Sequence, residues 1–184
     1  MNALLAAALI PLYFTTPADG LGTGALPLAM CPPARTSLDV PIVMQEPERC
    51  GPAALAMVLR YYGADSTALR EVDGAYDRVL RGSLITDLAG AARRAGFDAV
   101  IATLTPDSLI GLLNRGVPPI LLYQNGHGPL TVRHFGVVTG WDATRASFTV
   151  HDGGARPRLT RHDDLVKRWE TAGSQVLIVR QGEP

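Results

Sequence analysis

The sequence predicts an α+β fold, with helices in its first half and an antiparallel sheet in its second. Three observations predict this. Leu55, Val58, Leu59 and Tyr62 recur at helical spacing between Pro52 and Gly63. Past Gly116 the helical period gives way to short apolar runs separated by turn residues. Hydrophobic residues make up 47% of the 184 and charged residues 18%, a composition that buries a core and does not suit a disordered chain.

The first 37 residues read as a segment apart from the domain at 38–182. Ala3 to Phe14 is an apolar run, shorter than a membrane span and suited to the apolar region of an export signal, although the first basic residue is Arg35. Leu28-Ala29-Met30-Cys31 resembles a bacterial lipobox, with Met30 where that motif wants a small residue. An exported, periplasmic or membrane-associated protein is therefore expected, with membrane attachment through this segment. The alternatives are an apolar tail on a cytoplasmic protein and a true start near Met30.

From Leu38 the elements follow in order. Val40 to Met44 reads as a short extended segment and Gln45 to Arg49 as a loop. A helix starts at Cys50, with Pro52 in its first turn and Gly63 as its stop. A second helix covers about Thr67 to Val72, and a third runs from Thr86 to Ala95 before Gly96. Asp98 to Leu104 is extended, and Thr105-Pro106 caps a helix carrying Leu109, Leu112 and Leu113. Strands are expected at Ile120 to Tyr123, Val132 to Trp141 and Ser147 to His151, with a glycine-containing loop from Gln124 to Pro129. A short helix at Asp163 to Trp169 and a strand at Gln175 to Val179 close the chain.

Charge and cysteine content exclude several classes of function. Lys+Arg and Asp+Glu are equal at 17, so no basic surplus points to nucleic acid. Two cysteines, Cys31 and Cys50, are too few for a disulfide framework, and no Cys/His ladder suggests a metal. A metal site from Cys50, His134 and His151 is opposed by strand alternation, and no cofactor is expected. A Cys31–Cys50 bridge would block the thiol that carries the chemistry proposed next.

Cys50 opens a helix, where the dipole and free N–H groups favour a thiolate. Gly51 leaves its approach open. Gln45, five residues upstream, lies in the loop leading to the same place, and its amide with the Cys50 N–H would form an oxyanion hole. The plain alternative is a small buried cysteine. Of the four histidines, His134 starts an apolar strand and is the candidate base. His127 lies in a glycine loop that could form a flap, and His162 reads as surface among charges. Asp152, at a strand end before Gly153-Gly154, can hold an imidazole by its ring N–H. It could also merely start a turn. Asp142 is the rival for that role, while His151 alternates to the opposite face.

These residues resemble a known family. Gln45-Glu46-Pro47-Glu48-Arg49-Cys50-Gly51-Pro52-Ala53-Ala54-Leu55 is similar to the nucleophile segment of the C39 and C39-like peptidases, papain-like enzymes related to the domains that cleave double-glycine leaders. Gly82 to Phe97 resembles that family's helix before its Gly-Phe strand entry, His134 to Val138 its histidine strand, and Val150-His151-Asp152 its aspartate strand. The resemblance spans about Asp39 to Val179. It implies a papain-like fold with the nucleophile helix packed on an antiparallel sheet. It also implies Cys50 as nucleophile, His134 as general base, Asp152 as the orienting group and Gln45 as oxyanion donor. The family's aspartate is commonly followed by proline, where this chain has Gly153. No membrane domain or ATPase follows, so a free-standing member is expected.

The expected activity is hydrolysis of a peptide bond by a Cys-His-Asp thiol mechanism, on a peptide or protein substrate whose cleavage site is glycine-rich. The alternatives are an acyltransferase or transamidase using the same residues, and a non-catalytic module that binds a peptide in the same cleft.

Overall fold

The computed structural model describes residues 33–126 and 131–182. The readings placed on Ala3 to Phe14, on the lipobox-like stretch to Cys31 and on the His127 flap lie outside them. Among the described residues no helix is long and apolar enough to cross a membrane.

In chain order the elements are β1 (Arg35–Ser37), α1 (Cys50–Tyr61), α2 (Ser66–Arg70), a 3₁₀ turn (Glu71–Ala75), α3 (Ile85–Arg94), β2 (Phe97–Thr103), α4 (Pro106–Asn114), β3 (Ile120–Asn125), β4 (Val132–Asp142), β5 (Ser147–His151), β6 (Arg158–Arg161), α5 (His162–Thr171) and β7 (Gln175–Gln181). The strands form one sheet in the order β2-β7-β3-β4-β5-β6, and every pairing is antiparallel. β3 pairs with β4 over Val132 to Val137, and β1 takes up pairing at Gly140 to Asp142.

The punctuation expected from the sequence appears at the helix ends. Gly63, Gly96 and Gly116 follow α1, α3 and α4 with φ of 79°, 87° and 75°, which only glycine adopts without strain. Thr105 caps α4 by accepting a hydrogen bond from the Ser108 N–H.

The sheet is covered on both faces, as alternation along β3 requires. Ile120 and Leu122 pack with α1 and α3, through residues such as Leu55, Val58, Leu88 and Ala92. Leu121 and Tyr123 face the other way, onto Leu109 and Leu113 of α4 and Leu165 and Trp169 of α5. Helix α1 is buried almost all round, so it behaves as the central element of the core.

Two strands add to the sequence reading and one expectation is corrected. Val40 to Met44 forms no strand; the paired segment is β1, just upstream, so the sheet reaches back ahead of Leu38. β6 was not expected, because its four residues are largely exposed and carry no apolar alternation. His162 is not a solvated surface residue: it is half-buried, stacked on Phe148 at 5.9 Å and edge-on to Trp141 at 5.8 Å.

Candidate active site

The N-terminus of α1 is left bare. Arg49 at the cap position makes no side-chain capping bond, and the first turn holds no acidic residue. The positive end of the helix is therefore not neutralised by its own side chains. Cys50, a free cysteine, sits there. Burial would push its thiol pKa up. Hydrogen bonds from the His134 side chain and the main chain of Phe135 and Gly51, with the charge of His134, outweigh burial and hold it below 9.0. A thiol lowered by an imidazole at a helix start is the reactive kind of cysteine.

His134 enters near the start of β4 and is buried. Its Nε2 lies 3.1 Å from the main-chain oxygen of Asp152, eighteen residues away. A carbonyl only accepts, so Nε2 carries the proton and Nδ1 is left for the thiol. The Asp152 carboxylate, expected from the sequence at the imidazole, is instead paired with Arg158, at 3.0 Å from Nη1. Asp152 thus stands beside the ring and reaches it through its backbone. Asp142, the rival, binds the turn that follows it, through Thr144 and Arg145. His151 pairs with Val137 on the neighbouring strand, and its Nδ1 is buried without a partner among the described residues.

Gln45 and Cys50 both line a cleft of about 790 Å³, together with His134 and Phe135 of β4 and the segment from Leu80 to Thr86. The Gln45 N–H donates to the Gly153 carbonyl at 3.0 Å, and the Gln45 Oε1 is buried without a hydrogen-bond partner among the described residues.

Three residues of the site carried no sequence signal. Tyr123, paired with His134 across the sheet, packs edge-on against the imidazole at 5.5 Å, with Arg168 over its outer face. Burial, with the nearby Asp152 charge, pushes the Tyr123 phenol far up, so it stays neutral behind the histidine. Ser83 lies against Gly51 so closely that a Cβ there would come within 2.8 Å of its Cβ and Oγ. The Ser83 hydroxyl is buried and unpartnered at the cleft wall. Arg81 on the same wall pairs with Glu48 two residues before the nucleophile, and both take left-handed φ, 50° and 66°. Glycine at position 51 was a usable signal for close packing; nothing in the sequence pointed to Tyr123 or Arg158.

Among the described residues no group of three or more His, Cys, Asp or Glu is arranged to hold a metal ion. The arrangement has what acyl transfer needs: a thiol with a lowered pKa, an adjacent imidazole held by its far nitrogen, and free N–H groups at a helix start.

Residues 37–177 match the Peptidase_C39 like family. No curated protein sequence matches the chain. Several solved structures share its fold, three of them as follows. A double glycine motif protease from an AMS/PCAT transporter, in complex with its leader peptide, is 24% identical with a TM-score of 0.62, covering 80% of this chain and 95% of that one. A C39-like peptidase from Bacillus anthracis is 16% identical with a TM-score of 0.66, covering 82% and 99%. Xylellain, a cysteine protease from Xylella fastidiosa, is 10% identical with a TM-score of 0.55, covering 83% and 88%. The mixed helix and antiparallel-sheet fold is that of the papain-like cysteine proteases.

Proposed function

This chain belongs to the Peptidase_C39 like family, and from that premise we propose that it is an active cysteine peptidase. The observation that carries the reading is the Cys50 thiol, held low by His134 at the uncapped start of α1. In the proposed reaction, His134 takes the proton from Cys50 through Nδ1. The sulfur attacks the scissile carbonyl, and the oxyanion is held by the Cys50 N–H and the Gln45 amide. His134 protonates the leaving amine, a thioester remains on Cys50, and water attacks it to release the acid and restore the thiol. Asp152 holds the tautomer by its carbonyl, and Tyr123 backs the ring. The substrate is a peptide entering the cleft beside Leu80 to Thr86. A location at the bacterial envelope belongs to the same proposal, on the strength of Ala3 to Phe14, and cell fractionation checks it.

Alkylation of Cys50 by iodoacetamide across pH tests the reading. Because His134 and the main chain lower the thiol, the rate should rise with pH through a midpoint below that of a free thiol. In His134→Ala the midpoint should climb back toward that of a free thiol, about 8.5. A wild-type midpoint at the free-thiol value, indifferent to His134, would sink the proposal.

A further inference from the structure

The residue after Asp152 makes contacts that the catalytic roles do not explain. Gly153 is buried and has φ of 85°, which proline cannot adopt. A Cβ at this position would collide with the Gln45 side chain, at 2.6 Å from both Cγ and Cδ. The Gln45 side chain therefore occupies the space that any side chain at 153 would fill. The Gly153 carbonyl also takes the Gln45 N–H at 3.0 Å, which ties down the backbone of residue 45. Oε1 of Gln45 has no hydrogen-bond partner among the described residues. No bond at that atom fixes the amide, so the walls around it must. One of those walls is the bare Cα of Gly153.

We propose that Gly153 is a positioning residue for Gln45, acting through the absence of its side chain. The inference rests on the peptidase reading and assigns this residue a part in it. The Asp152–Gly153 segment then serves both halves of the machinery. The Asp152 carbonyl sets the imidazole, and the Gly153 Cα and carbonyl set the amide that receives the oxyanion. Such a residue affects attack on a carbonyl and leaves the thiolate itself alone.

Two reagents separate these effects. Iodoacetamide reacts at a saturated carbon and needs only the thiolate. With p-nitrophenyl acetate the sulfur bonds to the acetyl carbonyl, p-nitrophenolate departs, and the passing oxyanion draws on Gln45. Burst acylation in Gln45→Ala should fall by about 10²–10³-fold, and in Gly153→Ala toward the same level, with alkylation by iodoacetamide unchanged. Gly153→Asn, which tolerates positive φ but carries a Cβ, should fall likewise. Placed in the Gln45→Ala background, Gly153→Asn should cost little more, because the colliding side chain is gone and asparagine tolerates the positive φ.

Full acylation in both Gly153 variants would overturn the proposal, as would an equal loss in the Gln45→Ala background. Parallel loss of alkylation and acylation would also overturn it, since the damage would then lie in the thiolate. If Gly153→Asn folds only when Gln45 is shortened, the collision is confirmed; if it fails whatever stands at 45, it is refuted. Slow alkylation of the wild-type protein would instead bring down the peptidase reading, and this inference with it.

Discussion

On one side of the cleft, Gln45, Cys50 and Gly51 come from a single run of loop and helix. On the other, His134 and Asp152 are eighteen residues apart and meet only because β4 and β5 are in register. The two sides fail in different ways. The helix side is set by local chemistry: once α1 forms, its uncapped first turn presents free N–H groups whatever the sheet does. The sheet side depends on pairing. A slip of one residue in a strand turns each of its side chains to the other face. The register already shifts between Val138 and Gly140, beyond His134 and toward the far end of β4. The His134 end keeps regular pairing with β3, from Val132 to Val137.

The most damaging change is expected on the helix side. Cys50→Ala should abolish acylation by p-nitrophenyl acetate while leaving the melting temperature near that of the wild type. Surviving acylation would mean that another nucleophile is at work. Gly51→Ala comes next. The added methyl meets Ser83 at 2.8 Å and Leu88 at 3.3 Å, so overpacking should cost about 1–3 kcal/mol and slow Cys50 alkylation. Ser83→Gly in the same chain should restore much of both. If it restores neither, the Ser83 contact does not govern the nucleophile's position.

On the sheet side the expected losses are smaller. Because the Asp152 carbonyl and not its carboxylate reaches His134, Asp152→Asn should cost less than about tenfold in turnover, whereas a carboxylate-dependent histidine would lose about 10⁴-fold. Steady-state kinetics of this one variant decides between the two atoms.

The smallest effect concerns His151. Burial lowers its pKa below 6.5, with the Asp152 charge offsetting part of that, so the unfolded chain binds the proton more readily. Stability should therefore fall as pH drops below 6.5 toward the folded-state value, and His151→Leu should flatten that part of the curve. Urea melts between pH 5 and pH 7, with the variant as steep as the wild type, would show that another group is responsible.

The same division governs what could be read in advance. Helix α1, its glycine stop and the cysteine at its head follow from Pro52, Gly63 and the spacing of Leu55, Val58 and Leu59, all within one local stretch. Helix α4 was legible for the same reason, from Thr105-Pro106 and Gly116. Strands β1 and β6 were not, because both are short and mostly exposed, and edge pairing leaves no hydrophobic alternation. Asp152 could be located by its strand end, but which of its atoms faces the ring depends on cross-strand geometry and on Arg158, six residues further on. The packing of Gln45 against Gly153 joins segments remote in sequence. Its one visible trace was a glycine where relatives commonly carry proline.

The pairing of β1 with the last residues of β4 has a practical consequence. His134 lies near one end of β4 and Asp142, the partner of Arg35, at the other, a separation of about 25 Å along an extended strand. A chain grafted ahead of Arg35 therefore joins the domain well away from the thiol. Protein coupled to a resin through that point should keep its cleft facing the liquid, and Cys50 should react with iodoacetamide there as fast as in free solution.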